Sequence, residues 1–211
     1  FSLAGQGKCL PCPAGFHCSE GLRRRCPPGF YCPQNTGISF YPCPPGTYNP
    51  SYGLSRAERC QQCPAGFYCD SQQGPLIDVT LYPCPRGFYC PAGTSRSSQH
   101  SCPAGTFGAR PKLKSLQECQ RCPAGKYCEF PGLAAPTGPC LAGFYCTGGA
   151  ASPTPRDALE GNTCPQGSYC PLGSASPLPC PPGQYSSSAG NTGIQDCLPC
   201  DAGKTLQNPA K

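Results

Sequence analysis

Four Cys-x-x-Cys pairs, Cys9 with Cys12, Cys60 with Cys63, Cys119 with Cys122 and Cys197 with Cys200, are the residues whose type and spacing suit chemistry. Two thiols three positions apart can supply half of a tetrahedral zinc site, exchange disulfides, or close structural cystines. The zinc reading is poor: the chain has only two histidines, and Cys60, Cys119 and Cys197 each have a better-spaced cystine partner. A redox pair needs a helix start behind the first thiol, and Gln61-Gln62 followed by Pro64 offers none. His17 and His100 have no acidic or nucleophilic constellation beside them in sequence. The expectation is therefore no catalytic residue, no metal ligand, no cofactor and no enzymatic activity.

The pairs belong to a repeat. Cys-x-x-Gly begins at Cys12, Cys26, Cys43, Cys63, Cys84, Cys102, Cys122, Cys140, Cys164, Cys180 and Cys200. Proline follows the cysteine in every copy except at Leu141 and Asp201, and Cys-Pro-x-Gly predicts a type I turn with proline second and glycine fourth. Two residues past the glycine stands a ring, from His17 and Tyr31 through to Tyr185, with Thr205 the exception. A ring in an extended segment after a turn can cover the adjacent cystine and make a small core.

The copies fall into two kinds. Short units, at Cys12, Cys26, Cys63, Cys84, Cys122, Cys140 and Cys164, have a second cysteine six residues on, at Cys18, Cys32, Cys69, Cys90, Cys128, Cys146 and Cys170. Long units, at Cys43, Cys102 and Cys180, have Asn49, Gly108 and Ser186 there and a cysteine seventeen residues on, at Cys60, Cys119 and Cys197. Local pairing by this spacing joins each first cysteine to its own second one and leaves Cys9 and Cys200 unpaired in this window. Crossed pairing between neighbouring short units, Cys63 with Cys84 and Cys69 with Cys90, is the alternative. Spacing alone does not settle connectivity.

Composition sets the compartment and the scale. Thirty prolines and 27 glycines among 211 residues would suit a low-complexity chain, but 22 cysteines make a disulfide scaffold. Such density persists in an oxidising place, so the chain is expected outside the cell, at its surface or in the secretory lumen. Trp and Met are absent, and 14 of the 20 Phe and Tyr residues lie inside the motif, leaving no apolar run for a shared core. The expected fold is small disulfide-rich repeats in an elongated tandem array, with little regular structure, short β-hairpins and nearest-neighbour contacts. A net charge of +6 with 12% charged residues is too mild for a nucleic-acid binder. No stretch is apolar enough for a membrane span. Phe1-Ser2-Leu3-Ala4-Gly5 reads as neither a methionine start nor a signal peptide, so the chain reads as a window from a longer secreted or anchored protein.

Cys43, Cys60, Cys63 and Cys69 recur as Cys102, Cys119, Cys122 and Cys128, which gives the predicted boundaries. Residues 1–42 hold the end of a long unit plus two short units, and 43–101 a long unit plus two short ones. Residues 102–179 hold a long unit plus three short ones, and 180–211 a long unit and a truncated repeat. The connectors are Gly-, Ser- and Pro-rich, and Pro75–Tyr82 is the one run expected to form a strand. Arg23-Arg24-Arg25 reads as a solvated connector, with a weak patch for an anionic partner, a sulfated glycan or an acidic surface, as the functional alternative. Asn162-Thr163-Cys164 is a near-sequon, and Ser152, Thr154 and Ser176 lie beside prolines in segments suited to O-glycans.

The stretch from Cys43-Pro44-Pro45-Gly46-Thr47-Tyr48 through Cys60-Gln61-Gln62-Cys63 to Gly66, and the parallel one from Cys180 to Gly203, resemble ephrin-receptor-like cysteine-rich repeats. They resemble tumour-necrosis-factor-receptor repeats more distantly. The short units depart from that pattern by their cysteine six residues on. The resemblance implies an extracellular rod within a multidomain surface or matrix protein, without enzymatic activity and without any implication of ephrin binding. The expected function is a structural spacer or a filament component, its partners being other extracellular domains, copies of itself or glycans. A receptor ectodomain with a protein or glycan ligand is the alternative.

Overall fold

Each motif opens on a turn that only glycine completes without strain. In the computed structural model, which describes Phe1 and residues 7–201, the Phe16 N–H donates to the Pro13 carbonyl at 3.2 Å across Ala14 and Gly15. Gly15 sits at φ +85°, and its counterparts up to Gly183 lie between +73° and +90°. The turn therefore starts one residue later than the predicted type I turn. Glycine is third rather than fourth, and its left-handed φ is that of type II. Proline holds the first position, which is not one of the two whose φ and ψ define the turn, and Leu141 replaces it with the same bond, Phe144 N–H to the Leu141 carbonyl at 3.1 Å. Gly203 and Thr205 lie outside the described residues, as do Ser2, Leu3, Ala4 and Gly5.

The residues after most of these glycines are extended and pair antiparallel with those just before the next motif; after Gly66 only Phe67 bridges Pro83, and after Gly87 Tyr89 makes a parallel bridge to Leu113. The described residues contain eight such two-stranded pairs. They are β1 (Phe16–Ser19) with β2 (Leu22–Arg25), β3 (Phe30–Tyr31) with β4 (Tyr41–Pro42), β5 (Thr47–Tyr48) with β6 (Gln61–Gln62), and β7 (Thr106–Phe107) with β8 (Gln120–Arg121). The others are β9 (Lys126–Tyr127) with β10 (Gly138–Pro139), β11 (Phe144–Cys146) with β12 (Gly161–Thr163), β13 (Ser168–Tyr169) with β14 (Leu178–Pro179), and β15 (Gln184–Tyr185) with β16 (Leu198–Pro199). In the long units the two residues inside Cys-x-x-Cys are the returning strand: β6, β8 and β16 each lie between those cysteines. The pair spacing thus has a backbone reason.

The chain forms two compact units, Phe1–His100 with Arg110–Glu118, and Ser101–Ala109 with Cys119–Lys211. In the first, the N–H groups of Gly15, Gly29, Gly46 and Gly66 donate to the carbonyls of Cys32, Asn49, Cys69 and Cys90 at 2.7–3.0 Å. The carbonyls of the same glycines accept from Cys26, Cys43, Cys63 and Cys84 at 2.9–3.1 Å. Each motif's glycine is thereby clasped by both ends of the next motif. In the second unit Gly105, Gly125, Gly143 and Gly167 make the same pair of bonds, and the Gly183 carbonyl accepts from Cys200.

A second set of turns crosses over these clasps. The N–H groups of Asn35, Gly53, Gly93 and Lys112 donate to the carbonyls of Cys12, Cys26, Cys63 and Cys84 at 2.8 Å, and all four donors have positive φ. In the other unit Gly132, Gly149, Gly173 and Gly190 cap Cys102, Cys122, Cys140 and Cys164 alike. These turns also press on the motif before: a β-carbon on Gly15 would stand 2.7 Å from the Gly53 carbonyl oxygen, and one on Gly143 2.7 Å from that of Gly190. Contacts therefore reach the next motif but one, beyond the nearest-neighbour contacts expected from the repeat.

The cores are small. Cys63, Cys69 and Leu76 are packed by Tyr48, Phe67, Val79 and Tyr82, and Cys140, Cys146 and Ala150 by Tyr127. Tyr48 and Tyr127 belong to the motif preceding the cystine they cover, so these rings link units as well as sealing sulfur. The expected strand over Pro75–Tyr82 is instead a 3-10 turn, Val79–Leu81, started by the Asp78 carboxylate accepting the Thr80 N–H at 2.9 Å. An aspartate cap satisfies backbone donors locally, so the β-branched residues have no strand partner to seek.

Candidate functional site

The cysteine framework holds the chain's covalent chemistry. The short closures are Cys12–Cys18, Cys26–Cys32, Cys63–Cys69, Cys84–Cys90, Cys122–Cys128, Cys140–Cys146 and Cys164–Cys170. The long closures are Cys43–Cys60, Cys102–Cys119 and Cys180–Cys197. Cα separations of 5.7 to 6.2 Å lie within what a cystine spans. Cys63 and Cys84 are each joined within their own motif, and Cys9 and Cys200 are free thiols, Cys9 exposed. A sulfur held in a cystine is not a thiolate ligand, and among the described residues no three His, Cys, Asp or Glu side chains cluster for a metal.

The cystines differ in access. Both partners of the short closures from Cys26 onward are buried at 0–1% exposure. Each long closure instead has one partner reaching solvent, Cys60, Cys119 or Cys180, and so does the first short closure, through Cys18.

The position of the missing second cysteine in the long units is where sequence reasoning overlooked a structural residue. Asn49 occupies it in the unit at Cys43 and is buried at 3% exposure. Its Nδ2 donates to the Phe30 carbonyl at 3.0 Å and to that of Ser51 at 2.8 Å, while Oδ1 accepts the Ser51 N–H at 2.9 Å. In the unit at Cys180 the position holds Ser186, and Asn191 supplies the amide. Its Nδ2 donates to Ser186 Oγ at 2.7 Å and to the carbonyls of Ser168 and Ser188. Phe30 and Ser168 occupy the same place in the preceding motif, four residues past its first cysteine. In two of the three long units a buried amide thus ties one motif to the one before where the short cystine is lacking; in the unit at Cys102 the Gly108 N–H donates to the Leu133 carbonyl at 2.8 Å instead. The detectable signal is an asparagine in or shortly after the vacant cysteine position.

The histidines serve as rings. His17 meets Phe40 edge-on at 4.6 Å, and Phe40 meets Phe30 at 5.4 Å. His100 stacks on Tyr89 at 5.4 Å and accepts the Tyr89 N–H on its carbonyl. Two carboxyls have structural duties. Asp196 lies below the ordinary aspartate range because its carboxylate accepts the backbone N–H groups of Thr192 and Gly193. Asp78 does so through the Thr80 hydroxyl and N–H.

The arginine run is not a connector. Arg23, Arg24 and Arg25 form most of β2, paired opposite Cys18, His17 and Phe16. Glu20 at φ +51° and Gly21 at φ +75° make the tight turn between β1 and β2, two left-handed residues as a type I′ hairpin requires. All four β2 residues are exposed, and the Arg23 guanidinium lies 4.8 Å from the Phe16 ring centre. Elsewhere, a shallow hollow of about 120 Å³ is lined by Pro45, Asp70, Gln72, Ser95 and Arg96. Asn162 lies in β12 with its Oδ1 on the Thr163 N–H, and Ser152 Oγ and Thr154 Oγ1 lie 3.4 Å apart.

No protein-family model matches the chain, and no curated protein matches it. What the fold defines is a cysteine-rich repeat protein, built of small units closed by cystines, most of them hairpins, which within each compact unit are clasped one to the next by backbone hydrogen bonds. Its cystines belong to an oxidising environment. Among the described residues no helix is long and apolar enough to cross a membrane.

Proposed function

We propose that this chain is a non-enzymatic extracellular spacer, a tandem array of repeats of the ephrin-receptor-like kind that holds other domains of a surface or matrix protein apart or packs into a filament. The observation that carries the reading is the glycine clasp. The clasp bonds use backbone N–H and carbonyl groups, which supports an array that extends by repetition while most of its side chains vary. Chain entropy supports the same role. A cystine closing seven residues contributes about 2 kcal/mol and one closing eighteen about 3 kcal/mol, so every unit is held against extension.

Pulling single molecules of the chain tests the mechanical part. A spacer extends little while its cystines are intact and lengthens by the looped segments after reduction. Smooth extension at low force, with cystines intact, to the whole contour length that lies outside the closed loops sinks it. Directing the chain through a secretory route tests the compartment: the expected product is soluble and carries only the Cys9 and Cys200 thiols.

A receptor ectodomain is the second reading. It is favoured by the Leu76–Tyr82 insertion, where Leu76 is buried but Ile77 and Leu81 are exposed at 48% and 72%. Loss of binding to a cell-surface or secreted protein on I77S/L81S would support it.

A further inference from the structure

We propose that the exposed strand β2, through Arg23, Arg24 and Arg25, is a binding surface for a sulfated polysaccharide. The inference goes beyond the spacer reading and depends on it only for the extracellular location of the ligand.

Three consecutive arginines in a loose connector would lose much side-chain and backbone freedom on binding. Here the backbone is already fixed. The tight turn at Glu20-Gly21 sets the hairpin, β1 pairs along all of β2, and Cys18, directly opposite Arg23, is tied to Cys12. Side chains alternate along a strand at about 3.3 Å per residue, so Arg23 and Arg25 stand about 7 Å apart on one face, with Arg24 on the other. Arg23 is further held by the Phe16 ring. Stacking of this kind occupies the guanidinium face and leaves its in-plane donors free. Among the described residues none of the three arginines forms an ion pair with a carboxylate, so their charge is not neutralised within the chain.

The stretch of sequence that carries them has a net charge of the same sign. Residues 1–60 contain Lys8, Arg23, Arg24, Arg25, Arg56 and Arg59 against Glu20 and Glu58, whereas the remaining 151 residues hold ten basic and eight acidic ones. Most of the net charge therefore lies in the segment that carries β2. The guanidinium fork pairs with two oxygens of one oxyanion, and a polyanion with such groups repeated along an extended chain can engage Arg23 and Arg25 together on one face, with Arg24 adding its charge from the other. In an oxidising, extracellular setting the polyanion with that chemistry is a sulfated polysaccharide, not a nucleic acid. An acidic protein is the competing occupant and becomes an outcome of the test.

The experiment is retention on immobilised heparin across a sodium chloride gradient, with affinity measured against soluble heparin. Four proteins are compared: the chain itself, R23Q/R24Q/R25Q, R23K/R24K/R25K, and R86Q/R96Q/R110Q, which removes the same charge from three other exposed arginines. Non-reducing mass analysis checks that each keeps its cystines. The triple glutamine variant on β2 is expected to bind about tenfold more weakly or worse, the lysine variant to fall between, and R86Q/R96Q/R110Q to match the parent. Equal weakening of the two glutamine variants would reduce the binding to net charge and overturn the proposal. So would polyglutamate displacing the chain as effectively as heparin, which would assign the strand to an acidic protein. Absence of binding by the parent chain would also overturn it, and would leave the pulling result, and with it the spacer reading, untouched.

Discussion

The carbonyl oxygen of Gly190 lies 2.7 Å from where a β-carbon on Gly143 would stand, although the two belong to motifs that are not neighbours. Gly143 is also at φ +85°. Gly143→Ala therefore meets two penalties: the left-handed backbone costs a non-glycine residue about 1–2 kcal/mol, and the added methyl forces a backbone shift. Gly21→Ala meets the first alone, since nothing described lies within 4 Å of its β-carbon position. Gly143→Ala should lower the thermal midpoint clearly more than Gly21→Ala; equal effects would mean that the second set of turns does not press on the clasp.

The buried amides make a second prediction. Asn49→Ala removes two donated bonds and one accepted bond at 3% exposure and leaves the Phe30 carbonyl without that donor. The expected loss is about 1–3 kcal/mol, read by thermal or denaturant unfolding. Asn49→Asp keeps the shape and the acceptor but turns a carboxylate toward the Phe30 carbonyl, so it should be at least as damaging. If Asn49→Asp is neutral, the amide does not substitute for the missing cystine.

These amides show where the sequence was readable and where it was not. Closures at six and seventeen residues are legible because a cystine joins two identifiable side chains whose separation is countable. The clasp of Gly46 by Cys63 and Cys69 uses groups that every residue carries, so no composition signals it. The second turns had a faint mark, glycine recurring at Gly53, Gly93, Gly149 and Gly173, but Asn35 and Lys112 occupy the same left-handed position and blur it. Arg23–Arg25 looked like connector because a fully exposed strand shows no apolar alternation, and Glu20 is an unusual residue at positive φ. Val79–Leu81 looked like strand by residue type until Asp78 capped it.

Access predicts the order of reduction. Cys60, Cys119 and Cys180 reach solvent, as does Cys18, whereas the short closures from Cys26 onward are sealed. Since exchange requires a thiolate or phosphine to reach sulfur, limiting reductant followed by alkylation and peptide mapping should label the long closures and Cys12–Cys18 first. Early labelling of Cys63 and Cys69 would contradict the burial.

Asp196 predicts a pH effect at one end of the described chain. Its carboxylate is held below the ordinary value by the Thr192 and Gly193 N–H groups. A carboxyl with a folded-state value depressed in this way contributes stability above its unfolded value, and that contribution is lost as pH falls through the folded one. The amide resonances of Thr192 and Gly193 should therefore titrate together, with a midpoint below that of an ordinary aspartate, and the step should vanish in Asp196→Asn. A midpoint at or above that value would remove the carboxylate from the turn.

The last prediction concerns how far the loss of one cystine is felt. An array of independent beads would loosen only the unit that lost its bond, but Cys84 and Cys90 are tied on both sides. Cys84 donates to the Gly66 carbonyl and accepts from Lys112, while Cys90 accepts from Gly66 and donates to Leu113, all at 2.8–2.9 Å. In C84S/C90S the entropic contribution of about 2 kcal/mol from the closed loop disappears, and the four backbone bonds lose the staple that fixes their geometry. Hydrogen exchange should accelerate at Gly66, at position 90 and at Lys112, while the amides of Gly15 and Cys26, three clasps away, keep their protection. Acceleration confined to residues 84–90 would restore the bead picture, and acceleration across the whole first unit would make that unit a single cooperative element, because the clasps would then transmit the loss of one staple from end to end.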